Sequence, residues 1–307
     1  SEKSSELHYL TNELLDNGWK VYWCVLENIN IETLHFSELY DVSSNSRVSL
    51  TCQELNDNID MILVRILGSV EGKLAIVKHY LEQLRSTFKG ITVNDPASFI
   101  YGLRKDYLFA LINANFPTIP TDYFENTVTF AELEHKYGTT IHQYLVKPVT
   151  GELSNSMGIL GETNEGFFRS KESKVGGWLV QPVIPHIWNG EYQLFFLGND
   201  CKHALKKIYR REGTSSIVPS QHNRLIEEYL PTQGELSLAR QLKEFYVSKL
   251  NLRPDIFRLD FMKDEEGRPI IVEFETVNPG FFIKYICDAR KKQIARDFES
   301  FLSIRLA

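Results

Sequence analysis

Phe257-Arg-Leu-Asp-Phe-Met-Lys-Asp-Glu-Glu-Gly-Arg-Pro-Ile-Ile-Val-Glu-Phe-Glu-Thr-Val-Asn-Pro-Gly280 is the stretch on which the fold turns. Phe257, Leu259 and Phe261 alternate with Arg258, Asp260 and Met262, and Ile270–Val272 open a second apolar run. Lys263–Pro269 between them is turn-forming sequence, so the stretch predicts a β-hairpin. Its charges are oddly placed. Asp260 interrupts the first strand, and Glu273 and Glu275 fall on one face of the second, because strand side chains alternate with period two. If the strands pair about the turn, Asp260 faces the same patch. Three carboxylates converging beside buried strands would repel one another and titrate upward unless a cation sits among them. Oxygen ligands without a paired Cys or His match Mg²⁺, a hard ion that keeps waters and takes substrate phosphates as further ligands. A surface hairpin with acidic residues on its wet side gives the same pattern.

The 307 residues can hold two domains or one large one. A composition of 43% hydrophobic and 24% charged residues is that of an ordinary globular protein. The net charge of −6 argues against nucleic acid or an anionic membrane as the main partner, while leaving room for a locally basic phosphate site. No run approaches the roughly 20 apolar residues of a membrane span, and no signal-peptide pattern opens the chain. Cys24, Cys52, Cys201 and Cys287 form no CxxC pair, and reduced thiols in a cytoplasmic protein are expected.

Along the chain, Ser1–Asn17 predicts a helix with Leu7, Leu10 and Leu14 at helical spacing, and Trp19–Leu26 a strand. An α/β unit that opens on a helix expects a strand before it. Ile59–Leu67 reads as a buried parallel strand, Val70–Phe88 as an amphipathic helix facing inward through Leu74, Val77, Leu81 and Leu84, and Ile91–Asn94 as a strand. This alternation predicts a small open α/β sheet. Ala97–Asn113 reads as one helix, and Phe116-Pro-Thr-Ile-Pro-Thr121 as an interdomain linker. Helix 130–137, strand 143–148, strands at 159–160 and 167–169, and strand 178–185 come next. A hairpin over 192–209 turns at Gly198-Asn-Asp200; residues 219–232 read as a mobile polar loop, 235–250 as a helix, and 280–302 as one or two helices.

Several residues are candidates for chemistry. Lys147-Pro148 precedes a small-residue loop, Val149–Gly158, in which Ser154, Asn155 and Ser156 can present backbone N–H groups to an anion; a plain turn has the same composition. Neither a Walker A pattern nor GxGxxG is present. Gln181-Pro-Val-Ile-Pro185 is a proline-freed segment suited to an adenine edge, or simply a broken strand end. Glu191 is placed to accept from ribose hydroxyls, and strand alternation sends one of Lys206 and Lys207 inward. No GxSxG elbow or Cys/His pairing points to covalent catalysis.

Six elements in order resemble the ATP-grasp superfamily of carboxylate–amine ligases, over most of the chain. They are Asn94-Asp-Pro with Lys105, Lys147-Pro with its loop, Val180–Pro185, Gly190–Gly198, Arg258-Leu-Asp260, and Glu273-Phe-Glu-Thr-Val-Asn-Pro279. Within it the chain is similar to bacterial glutathione synthetase and to the cyclo-ligase of cycloserine biosynthesis. The resemblance implies an α/β and α+β chain: an N-terminal open α/β domain over 1–116 on the substrate side, then an ATP-grasp domain over 117–307. The latter would divide into a lid at about 122–184 and a catalytic part at about 185–307. Lys105, Lys147 and Lys206, with Ser154, Asn155 and Ser156 in a closing loop, would contact ATP. Gln181, Pro182, Val183 and Ile184 would hold adenine and Glu191 the ribose. Asp260, Glu273 and Glu275 would carry two Mg²⁺ ions, and Arg258 would steady the transferred phosphoryl group. Glu275 stands where most members have Asn, which leaves open whether it or Asn278 completes the metal site; Gly213–Gln221 also lacks the usual Gly-Gly pattern. The implied activity joins the carboxylate of an amino acid or peptide to an amine, with a homodimer as the implied assembly. A small-molecule kinase and a non-catalytic nucleotide-binding protein are the alternatives.

Overall fold

In the computed structural model, which describes residues 6–65, 73–125, 127–150, 157–169, 176–184, 188–209 and 224–307, Leu10 and Leu14 of the first helix bury as expected and Leu7 is half-buried. Leu10 and Leu14 line the inner side of helix α1 (Glu6–Asp16). The next forty residues depart from simple alternation. Strands β1 (Tyr22–Trp23), β2 (Ile29–Asn30), β3 (His35–Asp41) and β4 (Ser46–Leu50) make an antiparallel sheet around β3, where one strand over 19–26 is expected from the sequence. The strand is only Tyr22–Trp23, and Val25 beyond it lies on the surface. After helix α2 (Cys52–Asn58), closed by a Thr51/Glu54 capping box, β5 (Met61–Leu63) pairs parallel with β6 (Ile91–Val93) across helix α3 (Leu74–Thr87). Val77, Leu81 and Leu84 of α3 are buried against this sheet system, as their spacing predicts.

The expected helix over 97–113 is two helices, α4 (Pro96–Gly102) and α5 (Tyr107–Asn113). The break has a packing cause. A Cβ on Gly102 would collide with the Thr276 side chain, and the Lys105 N–H leaves the helix ladder to donate to the Val149 carbonyl at 2.9 Å. The segment read as a linker is a sheet edge: Ile119 N–H donates to the Ile271 carbonyl at 3.0 Å, and Ile271 N–H to the Pro117 carbonyl at 2.7 Å.

A second sheet runs β7 (Asp122–Phe124), β10 (Trp178–Pro182), β8 (Tyr144–Pro148), β9 (Gly158–Ile159), with helix α6 (Phe130–Tyr137) against it. Residues 165–169 form a short helix, α7 (Glu165–Arg169), instead of the expected strand, started by Asn164, whose carbonyl and Oδ1 both accept from the Phe167 N–H. The third sheet is antiparallel, in the order β13 (Arg224–Glu228), β12 (Asp200–Tyr209), β11 (Glu191–Leu197), β14 (Ile256–Lys263), β15 (Pro269–Glu275). β13 replaces part of the expected loop at 219–232; it is five residues long, too short for its alternation to stand out.

Phe196, Phe257, Leu259, Phe261 and Phe274 fill the space between one face of this sheet and helix α8 (Gln233–Leu250). Phe195, Leu197, Leu205 and Ile256, on the other face of the sheet, pack with α1 and the C-terminal helix α9 (Asp288–Leu306). His203 stacks flat on Phe195 there, ring centroids 4.2 Å apart. Burial pushes its pKa down to about 3, against a small opposing effect of the Phe281 backbone and with the Arg290 charge adding to the fall. The folded protein therefore keeps His203 neutral while the unfolded chain takes up a proton near pH 6.5. Its contribution is fully present above that pH and is lost as pH falls towards 3. In His203→Phe, denaturant unfolding from about pH 7 to about pH 4 is expected to lose less stability than in the wild type. Parallel curves would remove His203 from the acid response. Among the described residues no helix is long and apolar enough to cross a membrane.

Candidate active site

A single extra residue sets the geometry of the carboxylate hairpin. The β14–β15 register runs Arg258 to Glu275, Leu259 to Phe274 and Asp260 to Glu273, then shifts so that Phe261 meets Ile271. Val272 is the residue in excess, a β-bulge. Ile271 and Phe274 can thus both enter the core, while Glu273 and Glu275 lie on the face that carries Asp260. β11 and β12 complete this face through Gln193, opposite Asp260, and through Glu191, opposite Lys207.

The expected convergence of Asp260, Glu273 and Glu275 therefore occurs, and the cations among them belong to the protein. Arg258 grips Asp260 through Nε at 2.6 Å and Nη2 at 2.8 Å, and Gln193 Nε2 donates to the same carboxylate at 2.8 Å. Lys105, projected by the break between α4 and α5, reaches Glu273 at 2.8 Å. Glu275 accepts from the Val277 and Asn278 N–H groups at 2.8 and 3.1 Å.

The carboxylates do not all titrate upward. Burial raises Asp260 to about 6 despite Arg258, with the Glu191 charge adding to the rise. Burial also acts against ionised Glu273, but Lys105, Arg258 and Lys147 outweigh it and hold Glu273 at about 2. The second sheet offers Lys147 on β8, directly opposite Leu179 of β10. Burial and then the neighbouring Lys105 charge bring Lys147 down to about 8, against the pull of Glu273 and Glu191. Lys105 itself is raised: its burial is more than offset by Glu273, Glu275 and Asp260. Two lysines, Lys105 and Lys147, thus lie close together beside an acidic floor, an arrangement suited to phosphate oxygens and their counter-ion.

Among the described residues no three His, Cys, Asp or Glu side chains close into a ready-made metal cage. The donor chemistry nonetheless fits a hard cation. Gln193 Oε1 and Asn278 Oδ1 are buried acceptors with no hydrogen-bond partner, and both flank the carboxylates in the sheet or the turn after it.

Other expected contacts are placed less simply. Gln181 is buried, with its amide donating to Thr121 Oγ1 at 2.8 Å, and the Val183 N–H is taken by the Gln143 carbonyl at 2.7 Å. Pro182 ends β10 and Ile184 lies just beyond it, both half-buried. Glu191 is held by Lys207 at 2.9 Å and Tyr209 at 2.8 Å. Lys206 is on the opposite face from the carboxylates, its amine 5.4 Å from the centre of the Tyr192 ring; Lys207 is the lysine that alternation turns inward. Ser154, Asn155 and Ser156 lie outside the described residues, as do Gly213–Gln221.

Sequence reasoning missed Gln193, Tyr209, Glu6 and Arg65. Gln193 did leave a signal, a polar side chain inside the apolar run Tyr192–Leu197. Glu6 and Arg65 left none. They pair across 59 positions, and the Glu6 carboxylate accepts from the Phe281 N–H at 2.6 Å, just past the carboxylate hairpin.

No family model matches the chain, and no curated protein matches it by sequence. Solved structures do. D-cycloserine synthetase DcsG superposes with a TM-score of 0.67 at 19% identity, over 81% of this chain and 85% of that one. The ATP-grasp ligase PsnB with its minimal precursor gives 0.60 at 11% identity, over 98% and 97%. This chain has the ATP-grasp fold. D-alanine–D-alanine ligase from Bacillus anthracis gives 0.57 at 16% identity, over 99% and 92%. At these identities the likeness is one of fold. The charges meet where the sheet β7–β10–β8–β9 comes near the five-stranded sheet, Lys147 of the first acting on Glu273 of the second.

Proposed function

We propose that the protein is an ATP-dependent carboxylate–amine ligase acting on amino acid or peptide substrates and releasing ADP and phosphate. The observation that carries this reading is the convergence of Lys105 and Lys147 on Glu273, beside the Arg258–Asp260 pair, between the two sheets of an ATP-grasp fold. Support comes also from the neighbours, which include a D-cycloserine synthetase, a D-alanine–D-alanine ligase solved with ATP, and PsnB solved with Mg and ADP.

In this reaction a substrate carboxylate oxygen attacks the γ-phosphorus of ATP, the bond to the β-phosphate oxygen breaks, and ADP leaves. The substrate amine then attacks the acyl carbon of the acyl phosphate, and inorganic phosphate departs with the C–O bond pair. Lys105 and Lys147 would bind the phosphate oxygens, Lys105 passing from Glu273 to the nucleotide. Arg258, fixed by Asp260, would present its remaining donors to the oxygens of the phosphoryl group and of the tetrahedral intermediate. Asp260, Glu273 and Glu275, with Asn278 beside them, would hold Mg²⁺. The ion would supply charge neutralisation on the triphosphate. The segment 181–184 would face adenine and Glu191 the ribose, both after local exchange of the hydrogen bonds they now make. Cytoplasmic location and a homodimer belong to the same reading.

The test is ADP and phosphate release from ATP and Mg²⁺ across a panel of amino acids, hydroxy acids and dipeptides, with product masses read in parallel. ADP and phosphate together, with a product equal to two substrates less water, is the expected result; one substrate less one water identifies a cyclising ligase. ADP with a phosphorylated product and no free phosphate would replace the ligase by a kinase. Lys147→Met is expected to raise the KM for ATP about 10-fold or more, the scale of one lost charge-assisted hydrogen bond. An unchanged KM for ATP would remove Lys147 from the phosphate site.

A further inference from the structure

Asp260 takes the Nε and Nη2 donors of Arg258, which fixes the guanidinium along one edge and leaves it free to rock about that edge. Two aromatic rings limit the motion. Arg258 Cζ lies over the Phe195 ring at 5.9 Å and over the Phe282 ring at 5.6 Å, and the two ring centres are 6.2 Å apart. The three make a nearly equilateral triangle. Phe195 is fully buried, whereas Phe282 is half-buried and is the ring of the pair that reaches solvent. Phe282 also lies under a second cation of the site, with Lys207 Nζ 5.0 Å from its centre.

The backbone at Phe282 is left-handed, with φ +50° and ψ +32°, a region that a phenylalanine enters only at a cost. Such a residue persists where its surroundings fix it. Here they do. The Phe281 N–H donates to Glu6 at 2.6 Å, and Arg65 Nη2 donates both to Glu6 and, at 3.3 Å, to the Pro279 carbonyl. On the other side the Tyr285 N–H closes a turn onto the Phe282 carbonyl at 3.1 Å. The bend sends two consecutive rings to different neighbours. Phe281 enters the core, 6.4 Å from Phe298, and Phe282 covers the two cations. What the strain secures is therefore an aromatic cover on Arg258.

We propose that Phe282 is the positioning residue of Arg258: its ring keeps water from the guanidinium and keeps it aimed at the charge that develops on the substrate. The proposal rests on the ligase reading and deepens it. A guanidinium stabilises developing charge most strongly where water is excluded and its orientation is set beforehand. Phe282 acts through Arg258, so its loss lowers turnover without weakening ATP binding.

The direct measurement is hydrogen exchange at the Arg258 Nε–H, followed by magnetic resonance in protein carrying isotope-labelled arginine. The signal is identified by its absence in Arg258→Lys. Phe282→Leu is expected to exchange this hydrogen about 10-fold faster than the wild type, the scale of one partly desolvated cation–π contact. Phe282→Tyr, which keeps the ring, should keep the slow exchange, and Phe282→Met replaces Phe282→Leu if the latter misfolds. Unchanged exchange without the ring, or fast exchange with the tyrosine, would overturn the proposal. In ADP release, the kcat of Phe282→Leu should fall about 10-fold with the KM for ATP unchanged. The same change in an Arg258→Lys background should have little further effect. A raised KM with kcat intact, or an equal fall in both backgrounds, would separate Phe282 from Arg258 and overturn the proposal as well. Exchange that follows the ring, in a protein that releases no ADP with any substrate of the panel, would overturn the ligase reading while the placement of Arg258 stands.

Discussion

Glu273→Gln is expected to lower ATP- and Mg²⁺-dependent ADP formation by about 100-fold or more, the scale of removing one preorganised electrostatic contact from a transition state. The size reflects the position of Glu273. Its carboxylate stays ionised against burial because Lys105, Arg258 and Lys147 surround it, and it receives Lys105 at 2.8 Å. The amide keeps the shape but removes the charge, leaving Lys105 without its ion pair and a hard cation without one oxygen anion. The fold should survive. The Glu273 side chain is 23% exposed and faces away from the Phe261–Ile271–Phe274 core. The measurement is initial ADP release at saturating ATP beside a denaturant unfolding curve. A wild-type rate would dismiss the metal and phosphate assignment, and a large fall in unfolding free energy would make Glu273 a structural residue.

Asn94→Ala should cost about 3 kcal/mol or more of stability, since it strips partners from three buried backbone groups at roughly 1–3 kcal/mol each. Asn94 is 4% exposed. Its amide donates to the Ile256 and Thr276 carbonyls, both at 2.6 Å, and its Oδ1 accepts from the Ile256 N–H at 2.5 Å. It therefore ties the end of β6 to the start of β14 and to the turn after Glu275. Chemical denaturation measures the cost; a change below about 1 kcal/mol would mean that water replaces all three bonds. Where the variant stays folded, the substrate side should loosen with it, because Thr276 adjoins Glu275 directly and the 279–281 segment holds Arg65 and Glu6.

The carboxylate hairpin was legible because it obeys local rules: a turn at 263–269, period-two alternation, and charges placed against that alternation. Lys105 and Lys147 were legible only through family resemblance; nothing in Tyr101–Asn113 announces that Gly102 must approach Thr276 and bend the helix there. The four-stranded antiparallel sheet at 22–50 was missed because two of its strands are only two residues long, which carries no periodicity. Lys206 was preferred to Lys207 for a similar reason. The choice depends on how β11 and β12 register, and their bulge at Phe195–Phe196 sits between the hairpin turn and the lysines. Glu6, Arg65 and Phe281 meet from three distant parts of the chain, and that meeting is a property of the tertiary fold.

The extra residue at Val272 also couples the chemistry of this protein to the length of a strand. Were β15 to pair regularly through Val272, Ile271 and Glu273 would share a face under the two-residue repeat, and one of them would have to exchange oil for water or water for oil. The hairpin therefore works as a reading frame. Loss of Val272 itself would leave plain alternation, with Ile271 and Glu273 still on opposite sides. A residue gained or lost elsewhere between Ile271 and Glu275 would turn part of the acidic floor into the aromatic interior. A lineage carrying this sheet can change the residues around the site by substitution alone; its acids stay aimed at the same place only while the frame holds.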